Sequence, residues 1–420
     1  MDRSADTQRV EAFVARQPIF DRQREIYGYE LLYRSDPSIS HFDGTEATLA
    51  TKQVISSTLL TIGLENILCG KKAFINFNER LLSDGVHQSL PRREIVIEIL
   101  ESVEPTADLI ALCRGIRDDG YTIALDDFVS SPQFEPLTYF AQLIKVDVRA
   151  TSQREQERLL RTYRPRGIAL LAEKVETHEE FEWARAAGYD YFQGYFFARP
   201  GVIRGQQLPT SKLNCLRLLS EMQNGDPNFK QLEELIRMDV ALTYKLLRYV
   251  NSALTGRHEE IQSIKQALVM VGSHRIRQWV ALSTLSIMAA DKPSELATLS
   301  LVRARFCELL TKLAGGAHRD KAFLMGMFSL LDALLDRPLK EALRSVSLTP
   351  EIAQALLGTA AEENLLSRVY RLARSYEMAD WDVVKTLAQA CGVPFVAVGD
   401  AYVEATQWAN GVLSAVNSSA

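Results

Sequence analysis

Short apolar runs of strand type alternate with helical patterns through the first half of the chain. The runs are rich in β-branched and aromatic residues, and most of the later ones are separated by amphipathic segments such as PTADLIALCRGIRDDG. The runs are FVARQPIF, YGYELLYR, AFINF, IVIEIL, TIALDDF, LIKVDV, IALLAEKV and YFQGYFF. Repeated alternation of strand and helix predicts a parallel sheet, and eight such units predict a closed (β/α)8 barrel of the TIM type. An open, doubly wound sheet is the structural alternative.

After Pro200 the pattern becomes almost entirely helical. The stretch GVIRGQQLPTSKLN contains glycines and a proline, and it predicts a linker near residues 200–212. From Leu213 onward apolar residues recur at helical spacing, and Gly272 and Gly315 are placed to end helices. We therefore predict an α/β domain over residues 1–205 and an all-α domain over residues 206–420.

Composition and charge narrow the class of protein. Hydrophobic residues make up 47% and charged residues 24%, values that are typical of soluble globular domains. A net charge of -5 argues against bulk binding of nucleic acid. The five cysteines lie far apart, as expected for reduced thiols in the cytoplasm. Charges interrupt every apolar run well before about 18 residues, so we expect no membrane span.

Polar residues stand near the C-terminal ends of the predicted strands. In a barrel these ends meet at one rim, where catalytic groups gather. The residues are Glu30, Asn76, Glu98, Asp126, Asp127, Lys145, Glu173, Glu176 and Gln193. A single acidic residue at such a position is more often a solvated or helix-capping group than a metal ligand. A buried cluster of carboxylates, in contrast, needs a cation to offset its charge. Oxygen donors without histidine or cysteine favour Mg²⁺ or Mn²⁺ over zinc.

The same residues resemble those of the EAL domain, the cyclic di-GMP phosphodiesterase barrel, over residues 12–200. The signature Glu-Ala-Leu is similar to Glu30-Leu31-Leu32 within GYELLYR. The other similar motifs, in chain order, are RQPIF from Arg16, Asn76, EILE from Glu98, DDF from Asp126, KVD from Lys145, AEKVE, and QGYFFARP ending at Pro200. The resemblance implies divalent-metal-dependent hydrolysis of cyclic di-GMP to linear pGpG.

The resemblance also implies two cation positions that share one aspartate. The first cation would be held by Glu30, Asn76, Glu98 and Asp126. The second would be held by Asp126, Asp127 and Glu173. Lys145 would position the attacking water and Glu173 would accept a proton. The residues alone leave a second interpretation open, in which Lys145 is an ordinary ion-pair partner.

Further positions match family residues that contact the substrate or support the site. Gln17 and Arg34 match positions that contact the dinucleotide, where a planar guanidinium suits phosphate. Glu176 and Gln193 match supporting positions. Glu101 resembles the glutamate that braces the loop after DDF.

The chain departs from the family pattern at two places. Active members usually continue DDF with a glycine-rich stretch, whereas this chain reads VSSPQF from Val129 to Phe134, and Lys174 replaces the glycine of AEGVE. Glycine permits backbone conformations that other residues resist, so the altered loop is expected to support the catalytic groups less well. A displacement of a catalytic group by about 1 Å costs on the order of 100-fold in rate. We therefore expect weak hydrolysis. The alternative is a non-catalytic cyclic di-GMP receptor or scaffold.

Residues 213–400 resemble the HDOD domain, a helical relative of HD hydrolases. The resemblance is carried by IRMDVALTYKLLRYVNSA, SIKQALVMVG and AFLMGMFSLLDALL. An HD hydrolase needs a His-Asp pair near GMFSLLD, where this chain has Ser329 and Leu330, and His258, His274 and His318 are isolated. We expect no metal hydrolysis here. The resemblance implies protein partners for this half, and a homodimer is a further expected partner state.

Overall fold

The first half of the protein is a closed eight-stranded barrel in which the strands neighbour one another in chain order. The computed structural model describes residues 12–35, 68, 70–128, 132–199, 218, 229–237, 246, 250, 263–289, 292–344, 348–360 and 364–417. The strands are β1 (Ala12–Asp21), β2 (Ile26–Ser35), β3 (Lys72–Phe77), β4 (Ile95–Ile99), β5 (Thr122–Leu125), β6 (Leu143–Asp147), β7 (Ala169–Glu173) and β8 (Tyr191–Gln193). The predicted fold class, a TIM-like barrel followed by a helical domain, is confirmed.

The direction of the first strand distinguishes this barrel from a fully parallel one. β1 runs antiparallel to β2 and β8, whereas the pairs from β2 to β8 are parallel. The cause is the tight turn after Asp21, whose Oδ1 accepts hydrogen bonds from the backbone N–H groups of Gln23 at 2.8 Å and Glu25 at 2.9 Å. A connection this short joins only antiparallel neighbours, because a parallel pair needs a crossover of a dozen or more residues.

Helices follow most of the parallel strands of the barrel. They are α1 (Glu79–Ser83), α2 (Ala107–Asp118), α3 (Glu135–Thr138), α4 (Gln153–Tyr163) and α5 (His178–Ala187). Four begin at a residue whose side chain accepts from a backbone N–H of the first turn: Asn78, Thr106, Ser152 and Thr177. These caps satisfy N–H groups that have no partner inside the helix.

The second half of the described chain is helical. Its helices are α6 (Phe229–Arg237), α7 (Ile264–Met288), α8 (Ser294–Leu313), α9 (Arg319–Phe328), α10 (Leu331–Leu335), α11 (Leu339–Arg344), α12 (Pro350–Leu357), α13 (Leu365–Glu377), α14 (Trp381–Ala390) and α15 (Phe395–Asn417). Gly272 has a φ of 77° and breaks α7, while Gly315, with a φ of 70°, follows the end of α8. The predicted linker at 200–212 lies outside the described residues.

The chain forms two compact units. The first contains the residues up to Phe197, Leu309–Ala317 and the residues from Arg371, and the second contains Ala198–Glu308 and His318–Tyr370. In the first unit, the C-terminal helix α15 packs against β1. The hydroxyl of Tyr376 donates a hydrogen bond to the backbone oxygen of Val14 at 3.2 Å. The division into domains at residue 205 stays a prediction.

Within the described part of the chain, no individual helix has both the length and the apolar character needed to cross a membrane. The bent pair formed by residues 381–390 and 395–413 meets these requirements by length and composition only.

Candidate active site at the C-terminal rim of the barrel

A polar layer lies directly above an apolar layer inside the barrel. The apolar layer consists of Ile19, Phe74, Val96, Ala124, Leu143 and Leu171. Side chains two positions apart on a strand point to the same side. The residues two positions nearer the rim are Gln17 on the antiparallel β1 and Asn76, Glu98, Asp126, Lys145 and Glu173 on or directly after parallel strands. The alternation of the strands therefore brings these side chains together.

The ammonium of Lys145 is the centre of this layer. Its Nζ lies 2.8 Å from Glu98 Oε1, 2.8 Å from Asp126 Oδ1, 2.9 Å from Glu173 Oε1 and 3.3 Å from Glu30 Oε2. The Lys145 side chain is 1% exposed and the Glu98 side chain is 0% exposed. One positive charge is thus surrounded by four carboxyl groups that water barely reaches.

Amide side chains hold Glu30 in place. Its Oε1 accepts a hydrogen bond from Nδ2 of Asn76 at 2.9 Å, and its Oε2 accepts one from Nε2 of Gln193 at 2.7 Å. The same Gln193 nitrogen lies 3.2 Å from Oε1 of Gln17. The next residue, Gly194, lies so close to the neighbouring backbone that a Cβ there would meet the backbone oxygen of Val175 at 2.1 Å, so the backbone passes at this distance only with glycine. β1, β2, β3 and β8 thus all contribute to one hydrogen-bonded network.

The carboxyl groups differ in how readily they ionise. Burial opposes ionisation of Glu30, but Lys145 and the two amide donors outweigh it and lower the pKa. Burial raises the pKa of Glu98 well above its usual value, with repulsion from Glu30 and Asp126 adding to the effect. Burial, reinforced by Asp126 and Glu30, also raises the pKa of Glu173 to about 8. Burial opposes the charge on Lys145, yet the four carboxylates raise its pKa well above normal.

Several buried oxygens of the site have no hydrogen-bond donor. They are Asn76 Oδ1, Glu98 Oε2, Glu173 Oε2 and Gln193 Oε1. Buried polar atoms normally have a partner, and carboxylate and amide oxygens are the ligands that hard divalent cations prefer. Within the described chain no group of three or more His, Cys, Asp and Glu side chains is spaced as a ready metal site. The carboxylates instead converge on the ammonium of Lys145.

The second aspartate of DDF lies apart from this cluster. Asp127 has a φ of 40°, and its side chain is 43% exposed, compared with 14% for Asp126. Oδ1 of Asp127 lies 3.9 Å from the ammonium of Lys174, which donates to Oδ2 of Asp147 at 2.5 Å. These contacts of Lys174 were not predicted, although a lysine at an expected glycine position was the available signal.

Three other predicted residues have different surroundings or lie outside the described part of the molecule. Glu176 forms an ion pair with Arg149 and does not join the Lys145 cluster. Glu101 is exposed and lines a groove together with Asp126 and Asp127. The side chain of Arg34 and the residues 129–131 of the altered loop lie outside the described residues.

In the helical half, the positions expected of a His-Asp pair are buried packing positions. Oγ of Ser329 accepts a hydrogen bond from Arg303 at 2.8 Å and donates one to the backbone oxygen of Gly326 at 2.5 Å. Leu330 is 6% exposed. His318 is exposed at the start of α9, whereas His258 and the side chain of His274 lie outside the described residues. The NSA sequence at 251–253 also lies outside them.

Comparisons with known proteins identify the class to which both halves belong. Residues 47–200 match the model of the EAL domain and residues 208–367 match that of the HDOD domain. Glu30 and Gln17 precede the matched EAL residues, yet their strands complete the same barrel. The chain belongs to the family of proteins that join an EAL domain to an HDOD domain.

Two relatives match nearly the whole chain. YuxH of Bacillus subtilis (strain 168) is 34% identical over 411 residues, which cover 96% of this chain and 99% of YuxH. The cyclic di-GMP phosphodiesterase CdgJ of Vibrio cholerae serotype O1 is 36% identical over 403 residues, which cover 95% of this chain and 93% of CdgJ. A c-di-GMP-bound crystal structure of a standalone EAL protein from Vibrio cholerae O395 is 27% identical, with a TM-score of 0.37, and covers 46% of this chain and 94% of that chain.

Proposed function

We propose that this protein acts in cyclic di-GMP signalling and that its barrel hydrolyses cyclic di-GMP to pGpG with a divalent cation, Mg²⁺ or Mn²⁺. The observation that carries the proposal is the convergence of Glu30, Glu98, Asp126 and Glu173 on Lys145 at the C-terminal rim of the barrel. The near full-length similarity to the phosphodiesterase CdgJ supports the choice of substrate.

The charge balance of the site favours a cation. One ammonium cannot neutralise four carboxylates, and a buried carboxylate without a partner is costly. Burial and mutual repulsion raise the pKa of both Glu98 and Glu173, so a single ammonium does not offset full ionisation of the cluster. The unpartnered oxygens of Asn76, Glu98 and Glu173 fit a hard cation. Such a cation, when bound, would activate water and offset charge on the phosphodiester.

Two side chains have positions suited to the proton and charge movements of the reaction. Lys145 is fixed by its carboxylate partners, so its ammonium is preorganised to orient water or a phosphate oxygen. Oε2 of Glu173 is buried and accepts no hydrogen bond, which suits an oxygen that accepts a proton from the attacking water. Gln17 and Arg34 are proposed to contact the dinucleotide, and Glu101, Glu176 and Gln193 are proposed to support the site.

The test is direct measurement of pGpG. Purified protein with cyclic di-GMP and Mg²⁺ or Mn²⁺ should form pGpG slowly, and Glu30→Ala should abolish product while retaining a cooperative thermal transition. Glu182→Gln is the matched control, because Glu182 pairs with Arg24 of the turn at the opposite end of the barrel. Full activity in Glu30→Ala would refute the proposal.

A second candidate is a non-catalytic receptor for cyclic di-GMP. The contact between Lys174 and Asp127 favours it, because Asp127 is one of the residues expected to hold the second cation. Calorimetric binding of cyclic di-GMP without pGpG would select the receptor over the enzyme. A failure of both binding and turnover would leave a scaffold.

The helical half is proposed to regulate the barrel or to bind protein partners. The buried Ser329 and Leu330 at the His-Asp positions support an interaction role over hydrolysis. Location in the cytoplasm and a homodimeric state are parts of the same proposal. Size-exclusion chromatography with light scattering would test the dimer.

A further inference from the structure

Lys174 combines a strained backbone with an anchored side chain. It follows β7 with a φ of 57°, a conformation that glycine adopts freely and lysine rarely does. Its side chain is 56% exposed, yet the ammonium is held 2.5 Å from Oδ2 of Asp147. A long, exposed lysine at such a position costs free energy in both backbone and side chain. Its contacts therefore indicate a role for the charge.

Asp147 is a rigid anchor for that charge. Its side chain is 12% exposed, and Oδ1 accepts hydrogen bonds from the backbone N–H of Arg149 at 2.8 Å and of Ala150 at 3.0 Å. The other oxygen is thereby aimed at Lys174. The ammonium consequently stays at the rim, where it also faces Oδ1 of Asp127 at 3.9 Å.

We propose that Lys174 is a tethered cation that takes the place of the second divalent ion beside Asp127, so that the barrel binds one divalent cation tightly and a second one only weakly. The inference rests on the proposed metal-dependent function and specifies its cation requirement. A divalent ion beside Asp127 would stand within a few ångströms of a fixed positive charge, and like charges at that distance repel strongly. We expect this repulsion to weaken the second binding event by about tenfold or more.

The test is the stoichiometry of Mn²⁺ binding to the full-length, chelator-treated protein without cyclic di-GMP. Calorimetry and the paramagnetic resonance signal of free Mn²⁺ should give one tight ion per chain. Lys174→Gly should tighten the second site by about tenfold or more and produce the spectrum of a coupled Mn²⁺ pair. Lys174→Gln removes the charge while keeping a side chain, and it should also tighten the second site. Lys174→Arg keeps the charge and should still bind one Mn²⁺ ion tightly.

The control is Lys312→Gln, an exposed lysine near the end of α8, which should bind Mn²⁺ like the unaltered protein. Two results would overturn this inference and leave the proposed function standing. The first is two tightly bound Mn²⁺ ions in the unaltered protein. The second is an unchanged Mn²⁺ affinity of the second site in both Lys174→Gly and Lys174→Gln. Absence of Mn²⁺ binding in every variant would refute the metal-dependent function and this inference with it.

Discussion

Lys145 Nζ lies 2.8 Å from Glu98 Oε1, and neither side chain is more than 1% exposed. The pair sits inside the barrel with three further carboxyl groups around the same ammonium. A buried charge that loses its partner is strongly destabilising, whereas an exposed pair contributes little. The stability of the barrel should therefore depend on Lys145 and on any cation that can substitute for it.

Lys145→Met removes the ammonium and keeps much of the aliphatic stem. We expect the free energy of unfolding in a chelator to fall by about 3–5 kcal/mol, as measured by urea denaturation. Mg²⁺ should restore part of the loss. Lys321→Met is the control, because its partner Glu351 is 52% exposed, and it should lose less than about 1 kcal/mol. Equal losses in the two variants would contradict the prediction.

The stability of the metal-free protein should fall as the pH rises. Burial, with repulsion from Asp126 and Glu30, raises the pKa of Glu173 from its usual 4.5 to about 8. The folded protein therefore holds a proton that the unfolded chain releases, so this stabilisation is complete below about pH 4.5 and is lost as the pH rises through about 8.

We expect a decrease of up to about 1.4 kcal/mol per pH unit across this window. Denaturation of chelator-treated protein at several pH values measures the slope of the free energy of unfolding against pH. Glu173→Gln should reduce this slope, and Glu182→Gln should leave it unchanged. An unaltered slope in Glu173→Gln would count against the assigned pKa.

Gly326→Ala should destabilise the helical half. A Cβ at this position would meet the backbone oxygen of Arg303 at 2.4 Å, and backbone atoms cannot move aside as a flexible side chain can. We expect a loss of about 1–3 kcal/mol in thermal denaturation. Gly115→Ala is the matched control, because a Cβ there would have no neighbouring atom within 4 Å, and alanine in a helix should stabilise by about 0.5–1 kcal/mol. Similar melting temperatures for both variants would contradict the close approach of Gly326 to the backbone of Arg303.

Tyr376→Phe should weaken the attachment of the C-terminal helices to β1. The substitution removes one buried hydrogen bond to Val14 and should cost about 1 kcal/mol in the free energy of unfolding. Tyr139→Phe is the control, because its side chain is 68% exposed. We expect less than about 0.5 kcal/mol for that variant. A loss for Tyr376→Phe that is no larger than the loss for Tyr139→Phe would contradict the prediction.

The sequence predicted the barrel because alternation within each strand and repetition along the chain are local signals. The same alternation places Ala124 and Asp126 on one side of β5, so it also anticipates the inward direction of the first aspartate. The antiparallel direction of β1 follows from the short turn after Asp21, a feature that a count of strand-like runs does not include.

The differences among the site residues arise from contacts between distant segments. Glu173 and Glu176 occur in one short motif, yet the first contacts Lys145 and the second pairs with Arg149. The outward position of Asp127 accompanies its positive φ, which the adjacent Asp126 does not share. A single sequence cannot assign these directions, because they depend on packing and on backbone angles that no residue pattern specifies.

The pairing of β1 with β8 joins Ile19 to Gln193, so the barrel closes through residues that are far apart in the chain. During synthesis from the N-terminus, β1 can pair with β2 early, but its other edge has no partner until β8 leaves the ribosome. Such late, long-range pairing slows folding, and an open strand edge promotes association with other chains. We therefore expect the nascent protein to be prone to aggregation in the interval before Gln193 emerges.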